Sequence, residues 1–197
     1  MATYHAIAAV GDAMLGMLKA ACPKEFEADA PQFLLYQPGD FQNPMATGIS
    51  LYLYAVSINT GVRNLPPRVD ATGRRFRPSL PVDLHYLLIP WAKTAEKQQW
   101  LLGWCMRLLE DMAILPASLL NHYSSADAPF RPDEAVELVQ EPITLQEIVN
   151  IWDAFKPNLQ TAVPYVVRMV LIDSDIAVDE GAPVQARTSH YSKGVAQ

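Results

Sequence analysis

Two runs of residues constrain this chain more than anything else in it. Over residues 49–58, Ile49, Leu51, Leu53 and Ala55 alternate with Tyr52, Tyr54, Val56 and Ile58, so both faces of an extended segment are apolar. Residues 82–91 repeat the pattern, with Val82, Leu84, Tyr86 and Leu88 alternating against Asp83, His85, Leu87 and Ile89. A strand that is apolar on both sides must be covered on both sides. These two segments therefore belong in the middle of a sheet with packing layers above and below it.

The flanking periodicity is helical. Ile7, Val10, Met14 and Leu18 mark one face of a first helix, Ala9, Ala13, Gly16 and Ala20 form a thin second stripe that permits close approach, and Pro23 ends it. Thr94 caps a second helix running to about Met112, with Leu101, Cys105, Leu108 and Met112 on its inner side. Thr144-Leu145-Gln146-Glu147 is a capping box opening a third, which buries Ile148, Val149, Trp152 and Phe155. Further strands are expected at 32–36, 136–141 and 165–172, and a short helical turn at 115–121. The sum is an α+β fold: a mixed, mainly antiparallel sheet of about 4–5 strands flanked by about 3 helices.

At 197 residues one domain is expected. Residues 1–175 carry the pattern, and 176–197 read as a polar, mobile C-terminal tail because nothing there calls for burial. Half of the residues are hydrophobic and only 18% are charged, which excludes a disordered chain. A net charge of −6 and a pI near 5.1 argue against a general nucleic-acid or anionic-membrane binder. No apolar run approaches the roughly 18 residues of a membrane span. The N-terminus lacks a basic leader, so residence in the cytoplasm is expected. Cys22 and Cys105 are too far apart in sequence for a redox pair or zinc knuckle and read as buried thiols.

No catalytic motif is present. Gly11 to Gly16 has the spacing of a phosphate loop but is followed by Met17 and Leu18 within a helix. There is no nucleophile elbow or paired-histidine zinc motif, and His5, His85, His122 and His190 are scattered. The alternative reading from another class, a small hydrolase or ligand-binding domain, rests on His85, Asp83 and Arg63. No catalytic, cofactor or metal-ligating residue is assigned on this basis.

Two departures from a bland domain remain. The connection between the central strands, residues 60–79, is far longer than the usual four to six residues. It holds Arg63, Arg68, Arg74, Arg75 and Arg77 against a single Asp70, so it carries +4 while the rest of the chain carries −10. Exposed arginines contribute roughly 0–1 kcal/mol each to folding, too little to explain the cluster by stability. A basic finger that docks on an acidic protein surface is expected, stiffened by Pro66, Pro67, Pro78 and Pro81. Its complement is the run 133–153, where Asp133, Glu134, Glu137, Glu141, Glu147 and Asp153 meet no basic residue. Asp133, Glu134 and Glu137, with the tryptophans Trp100 and Trp104 one helical turn apart, are the expected contacts between copies of the chain in a ring.

The order of segments is similar to that of a known family. Gly48-Ile49-Ser50-Leu51-Tyr52-Leu53-Tyr54, Arg63-Asn64, Pro66-Pro67-Arg68, Arg77-Pro78-Ser79-Leu80 and Asp83-Leu84-His85-Tyr86-Leu87-Leu88 come first. Trp91-Ala92, Leu101-Leu102-Gly103-Trp104, Leu108-Leu109-Glu110-Asp111, Leu115-Pro116, Ile151-Trp152-Asp153-Ala154 and Tyr165-Val166-Val167-Arg168 then follow in the same order. The sequence resembles the N-terminal domain family of tail-terminator or cap proteins of phage-tail-like contractile injection systems, over Tyr4 to Asp175. That resemblance implies a non-enzymatic tail-terminator-like subunit without cofactor. It would form a homo-hexameric ring at the baseplate-distal end, stop growth of the inner tube and anchor the last layer of sheath. The implied partners are tube and sheath proteins and further copies of the chain, with no nucleic acid or membrane. The implied place is the bacterial cytoplasm during assembly and the particle thereafter. A sheath or baseplate assembly factor of the same particle is the nearest alternative.

Overall fold

The computed structural model describes residues 3–62, 64–155 and 160–178. In chain order the elements are α1 (Ala6–Ala20), α2 (Lys24–Glu27), β1 (Gln32–Tyr36), a 3-10 helix (Pro38–Gln42), β2 (Gly48–Ile58), a 3-10 turn (Thr60–Val62), β3 (Arg68–Val69), β4 (Arg75–Phe76) and β5 (Leu80–Trp91). There follow α3 (Ala95–Asp111), β6 (Ile114–Pro116), α4 (Ala117–Tyr123), β7 (Ala135–Gln140), α5 (Leu145–Phe155) and β8 (Val163–Ile172). The main sheet has six strands in the order β1-β2-β5-β8-β7-β6, and β3 pairs with β4 in a separate small sheet. Only the β1–β2 pair of the main sheet is parallel.

The α+β class and the mixed, mainly antiparallel sheet are as read from the sequence, with the two doubly apolar segments adjacent in its interior as β2 and β5. The sheet exceeds the expected strand count through β6, whose three residues are too few to show a period. Five α-helices are present among the described residues, because a one-turn helix, α2, and the turn that became α4 add to the three expected.

Strand β5 explains the two layers. Leu84, Tyr86 and Leu88 pack into one cluster with Val10, Met14 and Leu18 of α1, Leu101, Cys105 and Leu109 of α3, and Leu120 of α4. Leu87, Ile89 and Trp91 point the other way, into a mainly aromatic cluster with Tyr36, Phe41, Met45 and Trp152. Phe41 meets Tyr36, Tyr52 and Trp152 edge-on at 5.3–5.5 Å between centroids, the geometry that ring quadrupoles favour. The buried Trp91 Nε1–H donates to Ser50 Oγ at 2.8 Å, which removes the cost of an unmade polar contact there.

Two glycines permit close approaches. At Gly48, φ is +140° and a Cβ would lie 2.0 Å from the Gln32 carbonyl oxygen, so only glycine lets β1 lie against β2. A Cβ at Gly16 would lie 2.2 Å from the Tyr123 ring, which is how α1 reaches α4.

One expectation about β2 is corrected. Leu53 is opposite Tyr86 and Ala55 is opposite His85, so Tyr54 is an extra residue in β2, a β-bulge. A bulge reverses the alternation beyond it. Ala55 and Ser57 therefore join the face of Tyr52 and Tyr54, with His85, while Val56 and Ile58 turn to the other face. A second bulge lies in β8 opposite Asp83, where Met169 has φ +65°. The Asp83 carboxylate holds it by accepting the Met169 N–H at 3.1 Å and the Asn59 amide at 3.1 Å to each oxygen.

Candidate functional site

The arginine-rich connection is folded. Pro66 and Pro67 lead into the β3–β4 hairpin, whose turn is organised by Asp70. Its Oδ1 accepts from the Thr72 hydroxyl at 2.6 Å, the Thr72 N–H at 2.9 Å and the Arg74 N–H at 2.9 Å. The Thr72 hydroxyl is the first cause that holds this carboxyl below its ordinary range. Gly73, at φ +84°, supplies the left-handed position of the turn.

A third segment joins from the far end of the chain. Arg77 N–H donates to the Ile176 carbonyl at 2.9 Å, Val178 N–H donates to the Arg75 carbonyl at 2.9 Å, and Phe76 bridges Ala177. Residues 176–178, expected to begin a mobile tail, thus pair with β4 to complete a three-stranded flap, and residues 179–197 lie outside the described residues.

The flap is tied to the sheet through Asp173, whose side chain is 2% exposed. Arg68 Nε lies 3.5 Å from Asp173 Oδ2, Arg131 Nη1 lies 3.6 Å from the same oxygen, and Ser79 Oγ donates to Oδ1 at 2.5 Å. The Arg68 guanidinium also covers the Phe76 ring at 4.2 Å and reaches the Ser174 carbonyl at 3.4 Å. Arg68 therefore works as an internal anchor, with 9% of its side chain exposed. Arg74, Arg75 and Arg77 are exposed, and Arg74 stands 5.4 Å from the Phe76 centroid. Arg63 lies outside the described residues. Around the base and edges of the flap, Val56, Ile58, Val69, Leu80 and Ile176 are each exposed by 46–58%. The outward surface thus combines arginine with apolar side chains.

The other expected contact residues divide in the same way. Trp100 projects outward, whereas Trp104 packs against Phe26 and Phe33 at 6.3 and 6.4 Å. Asp133 and Glu137 are exposed; Glu134 is held by Arg131 at 2.8 Å. The pairing of His85 with Asp83 that the hydrolase alternative needed is not formed, because Asp83 is committed to the β8 bulge. His85 lies instead between Ser57 and Glu141, a grouping that sequence reasoning missed. Only the register of β2 on β5, set by the Tyr54 bulge, brings Ser57 to it.

No group of three or more His, Cys, Asp or Glu able to hold a metal occurs among the described residues. No helix among them is long and apolar enough to cross a membrane. Cys105 is buried as expected, and burial pushes its thiol up, away from reactivity. Cys22 is half-buried.

Comparison with known proteins places the whole described fold. The family described as the Pvc16 N-terminal domain matches residues 9–186. No curated protein matches the chain. Among solved structures, the PVC sheath/tube terminator in the extended state, from an extracellular contractile injection system, aligns with a TM-score of 0.59 at 16% identity, covering 96% of this chain and 64% of that one. The anti-feeding prophage cap, a tube-terminating cap, aligns with a TM-score of 0.61 at 17% identity, covering 92% of this chain and 60% of that one. The chain thus spans less than two thirds of the length of either protein.

Proposed function

The chain belongs to the Pvc16 N-terminal domain family, and on that premise we propose that it is a structural cap of a contractile injection system. In this reading copies of the chain form a homo-hexameric ring at the baseplate-distal end, where the ring stops growth of the inner tube and anchors the terminal sheath layer. Supporting it is the extent of the likeness: a fold shared over 96% and 92% of this chain with two proteins described as a sheath/tube terminator and a tube-terminating cap.

The flap supplies the physics. A cap has to recognise the end of a polymer, and six equivalent contacts acting through one ring multiply modest pairwise affinities by effective concentration. A flap bearing Arg74, Arg75 and Arg77, repeated around the ring, forms a positive collar that meets an acidic end surface of tube or sheath. Complementary charge of this kind sets register and encounter rate. Asp133, Glu137 and the exposed Trp100 face neighbouring copies in this arrangement. In this capping role the chain works by binding, in the producing cell during assembly and in the particle afterwards.

The test is assembly without the protein. Particles made in its absence have tubes of irregular length and loosely attached sheath by electron microscopy; uniform lengths and firm sheath attachment refute the proposal. Charge reversal at Arg74 and Arg77 together leaves the chain folded by circular dichroism and abolishes incorporation into particles at physiological salt.

A further inference from the structure

Away from the flap, four polar side chains from β2, β5 and the end of β7 form one connected line. Ser57 Oγ lies 2.8 Å from His85 Nε2, and His85 Nδ1 lies 2.7 Å from Glu141 Oε2. The Tyr54 hydroxyl donates to the same carboxylate oxygen at 3.0 Å. An ionised carboxylate only accepts, so Nδ1 carries the proton and Nε2 is left to accept from the Ser57 hydroxyl. We propose that Ser57, His85 and Glu141 constitute an acyl-transfer site for small neutral esters, with Ser57 as nucleophile, His85 as general base and Glu141 as the residue that positions it.

Three observations carry this beyond a tie between strands. Ser57 is exposed, so the hydroxyl at the end of the line is open to a reactant. A cleft of about 420 Å³ opens beside His85, where Ala55, Ile143 and Ile151 form an apolar wall next to the base and its carboxylate, while Ser57 stands at the end of the line, outside the residues that line the cleft. The carboxylates of Glu141 and Glu147 on that cleft disfavour anionic substrates, which selects uncharged esters. The order of roles is that of a nucleophile, a base and an orienting acid, a constellation recognised by geometry and independent of fold.

The step balances without a further reactant. Ser57 Oγ bonds to the ester carbonyl carbon as its proton passes to His85 Nε2. The bond from that carbon to the alcohol oxygen then breaks, and Nε2 delivers the proton to the leaving alcohol. Water, giving a proton to Nε2, attacks the acyl carbon; the bond to Ser57 Oγ breaks, the serine recovers its proton, and a carboxylic acid is released. Tyr54 and Glu141 keep the imidazole in the required tautomer.

This inference is independent of the capping role. The test uses the full chain with a fluorophosphonate probe and with p-nitrophenyl acetate. The expected result is phosphonylation at Ser57 by mass spectrometry, absent in Ser57→Ala, together with ester turnover lost in the same variant. His85→Ala slows labelling by about a hundredfold or more. Glu141→Gln slows it as well while Glu141→Asp restores it at equal melting temperature, a rescue that a purely structural acid would not produce. Absence of Ser57 labelling in the folded wild-type chain overturns the proposal, as does an unchanged labelling rate in Glu141→Gln. Because Ser57→Ala removes only an exposed hydroxyl, its comparison with wild type stands even if His85→Ala fails to fold.

Discussion

The two halves of the β2–β5 pair are built from the same residue types and have opposite fates. Between Gly48 and Leu53 the strand lies under helices on one face and the aromatic cluster on the other, and Ile49 and Leu51 are fully buried. Beyond Tyr54 the ladder continues, yet Val56 and Ile58 are 48% and 47% exposed. Hydrogen bonding is thus the same along the pair while burial is not. Helix coverage, and not strand propensity, decides which apolar side chains stabilise the fold. The uncovered half carries the flap at its tip and the Ser57–His85–Glu141 line on its flank, which is where a scaffold leaves surface for other work.

The sharpest way to break this comparison is truncation on each half. Leu88→Ala, in the covered half, costs about 4 kcal/mol of stability in a denaturant titration, whereas Ile58→Ala costs about 0.5 kcal/mol; equal costs end the distinction. Next in size is the flap anchor. Asp173→Ala leaves Arg68 beside a vacated acid and costs about 3 kcal/mol, and hydrogen exchange at the Arg77 and Val178 amides, which donate across the flap, rises with it. A flap that stays protected in that variant is held by something other than Asp173.

A smaller effect comes from Asp12 on α1. Burial raises its carboxyl above the ordinary value, partly offset by the Ser125 backbone N–H. For an acid raised in the folded state, the favourable contribution exists below the unfolded value and is lost as pH rises through the folded one. Asp12→Asn therefore raises the melting temperature at neutral pH and leaves it unchanged well below the carboxylate range. Smallest is Lys substitution at Glu137, exposed on β7, which alters stability by less than about 0.5 kcal/mol and is read out by the oligomeric state alone.

Much of this architecture was legible. The double alternation of 49–58 and 82–91 located two adjacent interior strands, because burial on both faces of their covered half leaves apolar residues at consecutive positions. Thr144 and Glu147 marked a helix start, and their reciprocal bonds form at 3.3 and 2.8 Å. The Thr94 cap likewise opens α3, its hydroxyl oxygen accepting the Lys97 N–H at 3.3 Å. The arginine cluster was visible as charge, but its division into one anchor and an outward set was not. Arg68 looks like its neighbours until Asp173, more than a hundred residues later in the chain, takes its guanidinium.

By itself the sequence determined the class of fold, a pair of interior strands, the helix starts and the presence of a charged connection, because each follows from periodicity, capping or composition within a few consecutive residues. Only the tertiary structure decided which face each residue takes beyond Tyr54, which arginine is spent internally, and that residues 176–178 complete the flap. Those outcomes depend on register and on pairing between distant segments. A single extra residue in one strand reverses every side chain after it, and nothing in the local alternation reveals that it has done so.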